Sequence, residues 1–485
     1  MQKRLFLDIH NKSWVDENLL KNYPKQNQSS DGVGYVKPEL PGSSLSENKE
    51  TNRRAKLGLK TAKDWFFGLT WFLVSFIIFY LTFGEIKPLV FVLSSVRLDL
   101  TILSYIPAYM GLYLSLGWIF YIITGFGFSF RKPKKFKMFN PHGPMVSILV
   151  PARDEEKVIG NLLNDLLKQT YTDWEAVVIA HNCSDRTYEA ARATADKRVK
   201  VFSLGGDYGK PVALNYGIQH AKGEIVVIFD ADTRIGKRFL EKLVPHFQKY
   251  DAVQARIASS NGNANLLSGL VDLEWLAFTD LVERSLSDFG LLALLGGTGQ
   301  AVKRSALEEV GYWDEKNLVE DYDLTLRLLR NGFRIGFAAD VRVYDERPVT
   351  WTSFFKQRAR WLRGNCQILK KHLVRSWREP RVWHLLVNHF SVFLFYYGLI
   401  LTFLYLLGGT FYTFYIPFWF WLWLFQVFIT FLRVVLERGF KGVLLFPVFL
   451  LFMYHWLIAL WYVPRIKTWK DSKTEHFGDL TIKVA

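Results

Sequence analysis

Between Arg381 and Arg433 the chain contains no Asp, Glu, Lys or Arg. An apolar run of that length suffices for two membrane-crossing helices, with a break near Gly408 and Gly409. Phe66–Phe83 (FFGLTWFLVSFIIFYLTF) and Leu100–Phe128 are also nearly free of charge, and Val443–Val463 adds a further apolar run. Half the residues are hydrophobic and 16% are aromatic, yet 22% are charged, so greasy and polar stretches occupy separate blocks. The expectation is a multi-pass protein of the cell membrane.

Residues 1–62 hold no sustained apolar segment and are rich in Asn, Lys, Ser, Gly and Pro, which reads as a disordered cytoplasmic tail and excludes a cleaved signal peptide. Residues 63–130 then form two transmembrane helices. Basic clusters precede the first span (Arg53, Arg54, Lys56, Lys60, Lys63) and follow the second (Arg131–Lys137, RKPKKFK), which puts tail and middle together in the cytoplasm. Residues 140–348 form a soluble domain, 349–380 amphipathic interface helices, 381–464 about three more spans, and 465–485 a tail. Arg433, Arg438 and Lys441 on one side of the last run, and Arg465, Lys467, Lys470 and Lys473 on the other, all belong inside by the same rule. Either one segment is re-entrant or the tail is external. The net charge of +16 suits anionic lipid and anionic substrates, and no motif calls for a nucleic-acid partner. Two cysteines, Cys183 and Cys366, give no disulfide framework.

In the soluble block, β-rich runs alternate with helical patterns. VSILV (146–150), WEAVVIA (174–180), VKVFSL (199–204) and EIVVIFD (224–230) are each followed by a helix, over 157–168, 186–195, 211–221 and 237–250. That alternation predicts an open, largely parallel α/β sheet with its ligands at the carboxyl ends of the strands. No GxGxxG opens the first helix, which excludes a dinucleotide-binding dehydrogenase, and GGDYGK (205–210) reads as a turn.

Asp230-Ala231-Asp232 directly follows an apolar strand. Two carboxylates there suit a hard divalent cation, although a solvated turn accounts for them equally simply. Val319-Glu320-Asp321-Tyr322-Asp323 precedes a helical run. Acids in a first helical turn favour the macrodipole, and three acids so close also repel each other and raise a pKa toward the range of a general base. Capping and catalysis both stand. In VTWTSFFKQRARWLRG, helical spacing puts Trp351, Phe354, Phe355, Ala359 and Leu362 on one face, for the membrane, and Gln357, Arg360 and Trp361 on another. Arg358 and Arg363 fall off that polar facet and read as lipid contacts.

Together with PARDEE, HNCSDRT, GKPVALNYGIQHAKGE, GGTGQAVKRSALEEVGYWDE and ERPVTWTSFFKQRARWLRG, these residues resemble a membrane-embedded family 2 glycosyltransferase of the cellulose, chitin and hyaluronan synthase type. The resemblance runs from about Val146 to Gly364. It implies a GT-A type domain between transmembrane helices, a nucleotide-sugar donor (a UDP-sugar in preference to a GDP-sugar), Mg2+ or Mn2+, and inversion at the anomeric carbon. It makes Asp321 the general base and Asp232 the metal ligand. Asp185, Lys210, Asp230, Asp232, Gln357 and Arg360 would bind the donor and its diphosphate, with Asn215 on the same side. Gly297, Thr298, Glu320 and Trp361 would frame the acceptor. The chain departs from the pattern at His181, where many relatives carry an aspartate, and at Val319, where a threonine is usual. The activity implied is elongation of a β-linked polysaccharide at the bilayer, coupled to its secretion. Transfer of one sugar to a lipid is the alternative, and a non-catalytic scaffold or channel the second.

Overall fold

The computed structural model describes residues 121–130, 136–137, 143–276, 281–290, 293–376, 415–452 and 455–469, together with four short strands nearer the N-terminus. The chain divides into two compact units, Met1–Lys37 and Pro38–Ala485. In the first, Leu5–Asp8 pairs antiparallel with Ser13–Asp16. In the second, Val90–Leu93 and Val96–Asp99 form another antiparallel pair. The apolar runs at 66–83 and 381–414 lie outside the described residues, as does 100–128 apart from the helix at 121–129. Among the described residues no helix is long and apolar enough to cross a membrane.

The larger unit is built on an eight-stranded sheet. Its strands are β1 (Val146–Ala152), β2 (Trp174–His181), β3 (Val199–Leu204), β4 (Ile225–Ile228), β5 (Arg234–Ile235), β6 (Ala252–Ser259), β7 (Gln300–Lys303) and β8 (Ile335–Asp345), in the order β3-β2-β1-β4-β7-β6-β8-β5. The first four, reading across the sheet, are mutually parallel, as the alternation predicts. Beyond them the sheet is mixed. β7 runs antiparallel to both β4 and β6, β8 is parallel to β6, and β5 is antiparallel to β8. The reversal follows from connectivity: β6 leads through two helices and a loop into β7 rather than through a single crossover helix, so nothing enforces the parallel direction.

The helices are α1 (Ile159–Leu167), α2 (Thr187–Arg192), α3 (Lys210–His220), α4 (Phe239–Leu243), α5 (Leu266–Glu274), α6 (Leu281–Asp288), α7 (Arg304–Val310), α8 (Glu320–Arg330), α9 (Trp351–Ser376), α10 (Tyr415–Phe452) and α11 (His455–Tyr462). Two apolar layers cover the sheet. Leu149, Val177, Ile179, Val226 and Ile228 pack with α3 and α8, and Ile148, Val150, Val178 and Val227 pack with α1 and α4 on the other face. The helix expected over 237–250 is cut to α4 and a 3-10 turn, Val244–Gln248, because Pro245 has no N–H to continue the ladder.

α8 is fastened to α9 by a fully buried carboxylate. Asp323 accepts from Arg327 Nε at 2.7 Å, Lys371 Nζ at 2.7 Å and His372 Nε2 at 2.8 Å. These partners, His372 first, hold its pKa far below the usual carboxylate range although burial pushes the other way. Next to this fastening, a Cβ on Gly364 would stand 2.7 Å from Val319 Cγ1, so only glycine lets α9 pass so close to the start of α8. Asp323→Asn leaves three basic groups around a neutral amide and should destabilise the purified protein by about 3 kcal/mol. Thermal unfolding checks this. Because the folded pKa is depressed, the gap from wild type should be full above about pH 4 and narrow as the pH falls further.

Candidate active site

The end of β4, the start of α8 and the Gly297 loop meet around one ammonium group. Lys210 opens α3, where its Nζ lies 2.5 Å from Asp230 Oδ1, just past β4, and 3.5 Å from Glu320 Oε1 at the start of α8. It also donates to the carbonyl of Gly297 at 3.0 Å. Burial works against this charge, but Asp230 and Glu320 outweigh it and hold the lysine above its ordinary pKa.

Glu320 is 2% exposed. Burial pushes it up to about 7 against the pull of Lys210, and the charge of Asp321 adds to the rise. Asp321 is raised too, again by burial first, while Lys210 and the Tyr322 N–H draw it back. Its Oδ1 accepts from Tyr322 N at 2.8 Å, and its Oδ2 is turned toward Gly297, where an added Cβ would lie 3.1 Å away. The three acids of this first turn therefore do different things. Glu320 and Asp321 face the Lys210 cluster, and Asp323 faces α9.

The loop carrying Gly297 and Thr298 is fixed from several sides. Thr325 Oγ1 accepts from Leu295 N at 3.0 Å and donates to Asp321 O at 2.9 Å, tying the loop to α8. Gln254 accepts from Gly296 N at 2.8 Å and donates to Thr298 O at 2.9 Å. Thr298 Oγ1 accepts from Asp230 N at 3.2 Å and lies 2.7 Å from Thr233 Oγ1, so it joins this loop to the Asp230–Asp232 turn. Asp232 is partly buried and acts electrostatically on Arg347.

The QRARW residues lie on α9. Arg360 donates to Leu318 O at 3.0 Å and sits 4.7 Å over the ring of Trp469. It also pulls down the pKa values of Glu320 and Asp321, which puts its charge beside the cluster. Trp361 meets Trp275 edge to face, with ring centroids 6.2 Å apart, and Gln357 is half-buried.

Several residues behave differently from the expectation. Arg358 is not a lipid contact: it is 1% exposed, ion-paired with Glu274, and stacked over Trp361 at 4.3 Å. Phe354, Phe355 and Leu362 pack against α10 and α11 instead of lying open to a membrane. The chain supplies its own cover for that face of α9 except at Trp351, which is half exposed, and helical spacing does not reveal this. Asn215 is buried and spends its amide on the backbone of Trp313 and on Glu315, so it latches the 311–315 loop.

Asp185 accepts from Thr187 N and Glu156 N and staples the loops after β1 and β2. With Asp154 and Cys183 it makes the one trio of metal-ligating side chains found among the described residues within 4.8 Å of one another. Burial pushes the Cys183 thiol up, which opposes the thiolate a metal requires. Sequence reasoning missed Trp469. Its Nε1 donates to Asn317 O at 3.0 Å, and its ring is 3.3 Å from where a Gly209 Cβ would be, next to Lys210. A lone tryptophan in the basic stretch KTWKD was the one available signal.

Gly297 combines φ +82° with this close approach to Asp321 and Lys210. Gly297→Ala should cost about 1–2 kcal/mol through the left-handed backbone and displace Asp321. A thermal melt together with a turnover measurement should show the rate falling more than the stability loss explains.

Residues 142–364 match the family described as "Glycosyltransferase like family 2". The "Probable glycosyltransferase YdaM" of Bacillus subtilis is 30% identical over 272 residues, 53% of this chain and 65% of that protein. The "Beta-monoglucosyldiacylglycerol synthase" of Synechocystis is 30% identical over 266 residues, 52% of this chain and 54% of that one. The "Poly-beta-1,6-N-acetyl-D-glucosamine synthase" of Staphylococcus aureus is 25% identical, over 58% and 68% respectively. The chain thus spans less than two thirds of the length of the first two relatives. Among solved structures, the mannosyltransferase PcManGT of Pyrobaculum calidifontis aligns with TM-score 0.49 and 17% identity over 74% of this chain and 99% of that one, too slight a likeness to build on. What the comparisons place on this α/β unit is the match of residues 142–364 to the glycosyltransferase like family 2.

Proposed function

We propose that the unit around Lys210 transfers a sugar from a nucleotide-sugar donor, a UDP-sugar in preference to a GDP-sugar, to an acceptor hydroxyl with inversion. The observation that carries this reading is the Lys210 ammonium held between Asp230 and Glu320 beside an Asp321 carboxyl raised by burial. One end of such a site is built for the negative charge of a departing diphosphate, and the other for accepting a proton. Asp321 takes the proton of the acceptor hydroxyl. The acceptor oxygen bonds to the anomeric carbon while the bond from that carbon to the diphosphate breaks, and the nucleoside diphosphate leaves.

Lys210, Gln357 and Arg360 hold the diphosphate, and Asp185 positions the loops on the donor side. Glu320, Gly297, Thr298 and Trp361 frame the acceptor. The donor set also fits a hard divalent cation, Mg2+ or Mn2+, since Asp230 and Asp232 offer carboxylate oxygens one residue apart and the Asp230 side chain is 39% exposed. Asp232, with Asp230, would hold that ion, and its charge would offset that of the leaving group.

For the acceptor, we read extension of a β-linked polysaccharide at a bilayer, coupled to its secretion. The Staphylococcus relative, named for a polymer, supports this over 68% of its length. The Synechocystis relative, named for a glucosylated diacylglycerol and more similar in sequence, supports single transfer to a lipid instead. The charged and buried Lys210 cluster argues against a non-catalytic scaffold.

Incubation with labelled UDP- and GDP-sugars and Mg2+ or Mn2+ tests the reading. Asp321→Asn should lower transfer by about 10²- to 10⁴-fold with donor affinity kept, and unchanged turnover would remove Asp321 from the base role. A ladder of products indicates elongation, and a single-sugar lipid as the only species indicates the second acceptor.

A further inference from the structure

The apolar run at 443–463 poses a question that charge counting leaves open, because basic residues flank it on both sides. α10 is broken at Gly439, whose φ of 56° and ψ of −141° are not helical. After that break the chain forms a helix over 440–452, rich in Leu and Phe, and then α11, rich in Leu and Trp. At 1.5 Å per residue these are about 20 Å and about 12 Å long, each short of the roughly 30 Å of a hydrocarbon core.

Both ends of the segment are fastened to the unit that carries Lys210. Before the break, Arg438 pairs with Asp272 of α5, and Glu437 bridges Arg256 of β6 at 3.0 Å and Arg433 at 3.2 Å. At the end of α11, Tyr462 stacks on Phe355 with ring centroids 5.3 Å apart, and beyond it Ile466 is buried with Leu318 and Ala359. Trp469 then reaches Asn317 and Arg360. A segment whose two ends bind one folded unit leaves and returns on one side.

Its burial is also one-sided. Phe446, Phe449, Phe452 and Ala459 pack on α5 and α9. Phe440, Leu444, Val448 and Leu451 recur at helical spacing on the opposite face and are exposed, as are Ile458 and Trp461. Lys441 near the start of the segment and Arg465 and Lys467 at its end are exposed. A tryptophan and cations rimming an apolar helix face match the boundary between headgroups and acyl chains, where anionic lipid complements the basic rim.

We propose that the segment between Arg438 and Arg465 seats its exposed face in the near leaflet of an anionic bilayer without crossing it. The chain beyond Arg465 then stays on the side of the Lys210 cluster. This inference does not depend on which sugar or acceptor the site uses.

The test uses the full chain with Cys183→Ser and Cys366→Ser and a fluorophore on Leu451→Cys, in phosphatidylcholine–phosphatidylglycerol vesicles. Nitroxide lipids labelled near the headgroup should quench it more strongly than lipids labelled at the acyl terminus. Strongest quenching from the bilayer centre would mean a crossing, and no quenching would mean a face covered by protein or water, and either result overturns the proposal. A second variant, Lys467→Cys in the same background, leaves the apolar face intact. In sealed membrane vesicles with the catalytic unit outward, an impermeant maleimide should label it fully. Protection of Lys467→Cys until the vesicles are opened would likewise overturn the proposal.

Discussion

A single ammonium group, Lys210 Nζ, stands between Asp230 and Glu320, and the candidate site depends on it. Two opposite charges about 4 Å apart are worth on the order of 4 kcal/mol near a protein surface. Here one cation serves an acid past β4, an acid at the start of α8 and a loop carbonyl at once. Without it, Glu320 would be a buried carboxylate with little to offset its desolvation. The ends of β4, α3, α8 and the Gly297 loop are therefore held in register by charge as well as by the apolar layers beneath them.

The rest of the arrangement supports that cluster from behind. Thr325 and Thr298 link the Gly297 loop to α8 and to the Asp230 turn. Asp323, with Lys371 and His372, fixes α8 to α9, and Gly364 allows the close crossing. Arg360 arrives beside the acids because α9 is held at that distance. The C-terminal stretch adds Trp469, under the Arg360 guanidinium and against Gly209, so the segment after α11 forms part of the site's wall.

Much of this was legible in the sequence because the signals are local. Val146–Ala152 and Trp174–His181 are mostly apolar, with Ser147, Glu175 and His181 the polar exceptions, and buried parallel strands favour that pattern. Asp230 and Lys210 sit at a strand end and a helix start, where such folds gather ligands. Less legible were features set by what packs on a helix. Asp321 and Asp323 are chemically equivalent in the sequence, and only the roughly 200° between them around the helix sends one to the site and the other to α9. Arg358 read as a lipid contact because nothing local announces that Glu274, more than eighty residues earlier, faces it. The antiparallel direction of β7 and the return of Trp469 to the site depend on long connections that periodicity does not report.

The central claim is that the Lys210 charge sets the protonation of Glu320 and Asp321. The acidic limb of the kcat/KM profile for transfer from a labelled nucleotide sugar, in wild type and in Lys210→Met, tests it most directly. Lys210 pulls both carboxyl pKa values down against burial more strongly than Arg360 does, so removing it leaves burial less opposed. The acids should then hold their protons to higher pH, and the limb should move upward together with a loss of rate. A lower rate with the limb unmoved would contradict the account.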